Sequence, residues 1–413
     1  MSRRVPLLAL IGPGLLVAAT GVGAGDLATA SIAGSHLGVA VLWAVVLGAG
    51  LKFVLTEGLT RWQLTTGQTL LQGVVRHLGR PAAWLFLAYL VIWSVAVGRA
   101  LASACGVTTY ALLPLFESPD TGKLVFGAVH SVLGVVLVLF GGYRLFERVM
   151  RVSILLMFIT VVVTAALLRP DLGSLMAGLV PSIPAVPGGL VWSVALLGGV
   201  GGTVTLLCYG YWIREEGRED PAALSLCRID LAAGYVATAV FGLAMVVVGS
   251  TVEIEGGGAG LLVDLGNRLE SSLGASMRWL FLIGAWGAVM SSLLGVWQSV
   301  PYLFSDLWGM LSGDSSESPA AVDTSCLPYR GFLVFLALSS IAGLLSSFVQ
   351  IQKIYAVLGA LFIPMLALVL LILNSREDLV GEDYSNGLTT RLVLAATLVL
   401  FLSFGIMEFG PWG

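Results

Sequence analysis

Charge is what this 413-residue chain lacks most. Asp, Glu, Lys and Arg make up 11% of it against 57% apolar residues, and its mean hydropathy is +0.96. Both values lie outside the range of soluble globular chains, so a large solvated domain is excluded. The net charge of -3, with basic residues scattered along connectors, excludes a nucleic-acid partner. Histidine is scarce, at three residues, and there are only four cysteines. Cys105, Cys208, Cys227 and Cys326 lack metal-ligand spacing and read as small packing residues, so no bound cofactor is expected. Also missing are a nucleophile-histidine-acid set, a phosphate-binding loop and paired intramembrane aspartates, and an enzyme is therefore not expected.

What the chain has in quantity is long apolar runs. A bilayer-spanning helix needs about 20 mostly apolar residues, and eleven segments qualify. They lie at about 6–34, 38–60, 82–112, 124–142, 146–168, 188–214, 226–250, 278–304, 330–349, 352–374 and 390–409. The expected fold is an all-α integral membrane protein, a single transmembrane domain in the lipid bilayer. Three connectors are longer than the rest: 61–81, where Gly67 to Val75 suits an interfacial helix, 251–277, and the Ser/Asp/Pro-rich 305–329. The basic start Met-Ser-Arg-Arg precedes no convincing cleavage site and leads into the first span. With the N-terminus in the cytoplasm, fifteen basic residues fall inside, Lys52 and Arg61 among them. Five fall outside, namely Lys123, Arg169, Arg268, Arg278 and Lys353, a positive-inside pattern for a multi-pass cytoplasmic-membrane protein.

Two spans break the apolar monotony. The first contains Ala19-Thr-Gly-Val-Gly-Ala-Gly-Asp26, three glycines and a carboxylate where a spanning helix should be most regular. Glycine weakens helix, and an acid at bilayer depth is costly enough to mark a substrate or ion pathway. The sixth contains Leu197-Gly-Gly-Val-Gly-Gly-Thr-Val-Thr205. Gly-interrupted helices at matching positions of two halves point to an inverted-repeat secondary transporter with its site where both unwind. The halves would be about 6–168 and 188–374, with 390–409 appended, and helices 1 and 6 would be discontinuous. Close packing through small residues is the plainer account of the same glycines.

The segments Ile11-Gly-Pro-Gly-Leu-Leu-Val-Ala18 and Leu27-Ala-Thr-Ala-Ser-Ile-Ala-Gly34 resemble the first helix of the Nramp family of metal-ion transporters. Leu42-Trp-Ala-Val-Val-Leu47, Leu70-Leu-Gln-Gly73, Ala195-Leu-Leu-Gly198 and Met290-Ser-Ser292 carry the likeness further along the chain. The resemblance implies the amino-acid transporter superfold, a five-plus-five inverted repeat, with metal held between a DPGN motif in helix 1 and an MPH motif in helix 6. Here those motifs become Gly23-Ala-Gly-Asp26 and Gly202-Thr-Val204, without methionine or histidine. Span three offers no carboxylate for the family's proton route.

The remaining donors are oxygens: Asp26, carbonyls near Gly21 to Gly25 (Gly23 and Gly25 among them) and Gly199 to Gly202, and the hydroxyls of Thr203 and Thr205. Such ligands suit Mg²⁺, Mn²⁺ or Ca²⁺. Two bulky ligands replaced by glycine imply an enlarged pocket that admits a partly hydrated Mg²⁺. The same room would suit a small carboxylate or amino acid held by helix N-termini and Arg99, and a transport-inactive sensor is a third reading. Asp26 could also simply cap the second half of helix 1. Arg99 could instead snorkel or pair with Asp26. His130, Tyr209, Ser292 and Gln298 are possible pathway residues, each with a packing role as the plainer account.

Overall fold

A computed structural model describes residues 12–253, 258–313 and 323–409, and every regular element among them is helical. Arg3 and Arg4 and the middle of the 305–329 connector lie outside the described residues. Span one consists of α1 (Pro13–Gly21), a π-helical stretch Val22–Thr29 and α2 (Ala30–Leu37). A turn at Gly38, φ 62°, leads to α3 (Leu42–Thr66), followed by α4 (Arg80–Leu112) and α5 (Pro119–Leu167). The sixth span is α6 (Gly189–Gly199) and α7 (Cys208–Glu215). Then come α8 (Leu224–Gly249), α9 (Ala275–Ser312), α10 (Leu327–Ala342), α11 (Phe348–Ala360), α12 (Phe362–Leu373) and α13 (Leu388–Phe409). Nine stretches of the described residues are long and apolar enough to cross a bilayer. One of these, Gly25–Thr66, joins the first two spans, and α10 is a shorter apolar helix. All eleven expected spans thus have a helical counterpart.

Spans four and five, expected at 124–142 and 146–168, are the two apolar stretches Pro119–Gly141 and Arg148–Leu167 of one helical run. A straight helix would put His130 and Ser153 about 34 Å apart at 1.5 Å per residue. Yet Trp286 Nε1 donates to His130 Nε2 at 3.0 Å, and Ser153 packs on the adjacent Gly287. Run α5 therefore bends so that both arms lie against α9. The 61–81 connector carries a short helix, Leu70–Gly73, within the stretch Gly67 to Val75. Thr69 and Gln72 form a reciprocal capping box at the start of Leu70–Gly73, satisfying two orphan donors at once.

In lipid, apolar surface gains little by leaving hydrocarbon, so helices associate through close fit and polar contacts. The packing of span one on α8 follows this rule. A Cβ on Gly14, Gly34 or Gly234 would collide with backbone of the facing helix. Those glycines let the two backbones touch, which brings the π-helical stretch up to the gap between α6 and α7.

Candidate cation site

The two glycine-rich stretches depart from α-helix in different ways. In the sixth span, Val200 turns extended at φ -57°, ψ 130° and ends α6. Gly201 and Gly202 follow at φ 76° and 82°, left-handed conformations that only glycine adopts cheaply. Thr203 resets the chain, which winds again as a 3₁₀ turn, Val204–Leu207, before α7. Carbonyls at the end of α6 thereby lose their helical donors.

The first span does not unwind. Its eight-residue π-helical stretch has a local cause in Ser292 of α9. Gly23 N–H, which would ordinarily donate to the Ala19 carbonyl, donates to Ser292 Oγ at 2.7 Å, and that hydroxyl donates to Ala19 O at 2.8 Å. A side chain inserted into the i to i−4 ladder forces the helix to widen. Ala19 O, two residues before Gly21, is taken by Ser291 and Ser292.

Asp26, on the widened stretch, is completely buried. Its two carboxylate oxygens accept the Gly201 N–H at 3.2 and 3.1 Å, so it binds the opened backbone of the sixth span and does not cap its own helix. Facing it is a group that the sequence counts among the basic residues of the cytoplasmic side. Lys52 lies in the middle of α3, wholly buried, and its ammonium donates to Gly198 O at 2.7 Å and to Val200 O. Asp26 and Lys52 interact electrostatically across the gap. A lysine in a membrane-length apolar run is as costly as an aspartate, and this signal was present in the sequence at Lys52. Tyr355 of α11 also lies within electrostatic reach of Asp26 and close to Thr203.

The expected enlargement of the pocket is not found, because neighbours fill the space of the lost side chains. A Cβ on Gly23 would stand 2.6 Å from Ser292 Cβ, one on Gly202 would stand 2.7 Å from Thr205 Oγ1, and one on Gly25 would collide with the Gly199 carbonyl. Gly21 likewise abuts the Gly201–Gly202 peptide. Thr203 and Thr205 are buried beside the break, and Thr203 packs on Gly359 of α11.

Toward the arginine-rich end the centre is closed. Asp230 of α8 accepts hydrogen bonds from Gly14 N at 2.9 Å, Tyr209 at 3.0 Å and Arg218 at 3.1 Å, tying the starts of α1 and α8 to α7 and its following loop. Gln63 Nε2 donates to Gly210 O at 2.6 Å. Further out, Glu57 pairs with Arg61 at 3.4 Å and Arg228 at 2.7 Å. Asp230 is as completely buried as Asp26.

The suggested pathway residues separate. Ser292 belongs to the centre as the wedge in span one. Tyr209 belongs to the closure. Gln298 accepts from Trp212 Nε1 at 3.4 Å and is packed between helices. His130 lies away from the break, its Nδ1 at 2.8 Å from Phe126 O and its Nε2 receiving Trp286, a satisfied packing residue. Arg99 turns to α10, packing on Gly343 with Nε 3.5 Å from Ser339 O, so it supplies no anion partner at the centre. No group of three or more His, Cys, Asp or Glu side chains suited to a metal occurs among the described residues. Any cation at the centre must therefore be held by one carboxylate, hydroxyls and peptide oxygens.

Comparison with known proteins fits this geometry. A family model described as "Natural resistance-associated macrophage protein-like" (Nramp) matches residues 14–408. A Staphylococcus aureus protein (strain bovine RF122 / ET3-1) named "Divalent metal cation transporter MntH" is 24% identical over 441 residues, covering 97% of this chain and 90% of its own length. Among solved structures, a histidine-to-alanine mutant of the Eremococcus coleocola manganese transporter superimposes with a TM-score of 0.74 at 16% identity, over 100% of this chain and 91% of that one. MhsT in complex with L-phenylalanine follows at a TM-score of 0.65 and 15% identity, over 97% and 98%. These structural likenesses are of fold alone, and the fold is the one that the resemblance implied.

Proposed function

The chain belongs to the Nramp family, and on that premise we propose that it carries a divalent metal cation, Mn²⁺ or Mg²⁺, across the cytoplasmic membrane by alternating access. The observation that carries this reading is the position of Asp26, a buried carboxylate held against the opened backbone of the sixth span. Every donor within that set is an oxygen: Asp26, the α6 end carbonyls, Thr203 and Thr205. Hard ligands of this kind favour Mg²⁺ and Mn²⁺ over later transition metals. The tight centre supports an ion over an organic solute, and Arg99 faces away from it. The N-terminus lies in the cytoplasm by the distribution of basic residues. Import is then the downhill direction, favoured by about 2.3 kcal/mol per charge per 100 mV of membrane potential.

The test is uptake of Mn²⁺, Mg²⁺ and Ca²⁺ into proteoliposomes carrying the intact protein or Asp26→Ala. We expect saturable Mn²⁺ or Mg²⁺ uptake by the intact protein and at least about a hundredfold loss in Asp26→Ala, the size expected when a buried charge partner is removed. Uptake of amino or carboxylic acids without any divalent ion would overturn the proposal.

A further inference from the structure

A cation transporter of this architecture coordinates its ion with carbonyls at the end of a half-helix. Here those carbonyls already have a cation on them. Lys52 Nζ donates to Gly198 O and Val200 O, the last acceptors of α6, where the negative end of the helix dipole favours positive charge. The lysine reaches them from another helix, α3, whose Gly48 backbone abuts the Leu197 carbonyl. Its alkyl stem lies 3.6 Å from where a Gly201 side chain would begin. The charges add up simply: Asp26 and Lys52 together leave the centre neutral. A divalent ion arriving with Lys52 still in place would leave a net double positive charge at bilayer depth, which is very costly.

We propose that Lys52 is a tethered cation that competes with the transported ion for the α6 end carbonyls, so that an ion binds only as the Lys52 side chain leaves them. Lys52 is then a specificity-determining residue. It keeps the unloaded centre neutral and closed, and it sets affinity by the work of displacing it. This proposal rests on the reading of the break as the cation site. Asp26 is the charged group that faces Lys52 from span one. Tyr235 of α8 and Tyr355 of α11 border the same space, the former through its hydrogen bond with Thr56 on the lysine's own helix.

The experiment measures Mn²⁺ binding by calorimetry on the full chain in detergent, for the intact protein, Lys52→Met, Lys52→Arg and Lys52→Ala, with methylammonium as the probe of the vacated position. Lys52→Met should bind Mn²⁺ at least tenfold more tightly than the intact protein, and Lys52→Arg, which keeps the charge, should stay within about threefold of it. Millimolar methylammonium should weaken Mn²⁺ binding to Lys52→Ala and leave the intact protein unaffected. A lysine that merely capped α6 would give no gain in Lys52→Met and no competition by the amine. Either result, in variants that elute as folded monodisperse protein, overturns the proposal. Should Lys52→Ala not accumulate, Lys52→Gln, which keeps a donor but no charge, carries the same affinity comparison.

The two readings fail separately. Mn²⁺ uptake by the intact protein, together with an amine-insensitive Lys52→Ala, removes the tethered cation and leaves transport standing. If no variant binds a divalent ion, while methylammonium saturably raises the unfolding temperature of Lys52→Ala alone, the tethered cation stands and divalent transport falls. Absence of both responses removes both.

Discussion

The two glycine-rich stretches, Ala19 to Asp26 and Leu197 to Thr205, look alike as sequence and use their glycines for different ends. In the sixth span Gly201 and Gly202 are there for backbone conformation, at φ 76° and 82°. In the first span the glycines are there for proximity. Gly21, Gly23 and Gly25 remain helical while their missing side chains let Gly201–Gly202, Ser292 and Gly199 come into contact. One segment opens because its own residues permit it. The other is widened by a hydroxyl delivered from α9. Clustered glycines therefore marked where two backbones meet, without saying which of them gives way.

Substitutions can break or sharpen this contrast. The largest effect is expected from Gly25→Val, whose side chain would drive into the Gly199 carbonyl. We expect a cost above about 3 kcal/mol and no monodisperse protein on size exclusion, since backbone cannot move aside as a rotamer can. Gly201→Ala should cost about 1–3 kcal/mol from backbone strain, read as a lowered unfolding temperature. Gly201→Asn should recover part of that loss because asparagine tolerates the left-handed region, whereas Gly25→Asn should be as damaging as Gly25→Val. Equal tolerance of asparagine at both positions would erase the distinction.

Ser292→Ala tests the wedge. Removing the hydroxyl takes away the acceptor of Gly23 N–H and the donor to Ala19 O, and should cost about 1–3 kcal/mol unless the α-helical bond re-forms. Hydrogen exchange at Gly23 reads the outcome: faster exchange marks an orphaned donor, and slower exchange marks a helix that has closed. The smallest effects belong to positions outside the comparison. Arg99→Ala should change stability by less than about 1 kcal/mol and leave cation uptake unaltered, since its guanidinium has only a 3.5 Å approach to Ser339 O.

Much of this architecture could be read from the residues. The spans follow from apolar length, and Asp26 stood out because an acid at that depth has few reasons to be there. Lys52, within the second expected span, carried the same signal but counted only toward the cytoplasmic basic residues, since positive charge is ordinarily a topology marker. Its reach to Gly198 and Val200 spans almost 150 positions of chain and shows only in three dimensions. The direction of Arg99 toward α10 was equally unreadable, because helical spacing does not say which neighbour occupies a face. Ser292 was singled out for its polarity, but its role as a wedge depends on where α9 crosses span one. The supposed roominess of the centre failed for a related reason. A glycine at position 23 or 202 leaves space only if nothing else occupies it, and here Ser292 and Thr205 stand there.

Asp230 gathers donors from the first turn of span one, from α7 and from the loop that follows it. All three donate to the same atom, Asp230 Oδ2, so parting any one of these segments from the others takes a hydrogen bond from a buried carboxylate. Three segments meeting on one atom cannot drift independently, and whatever moves one of them pulls on the other two.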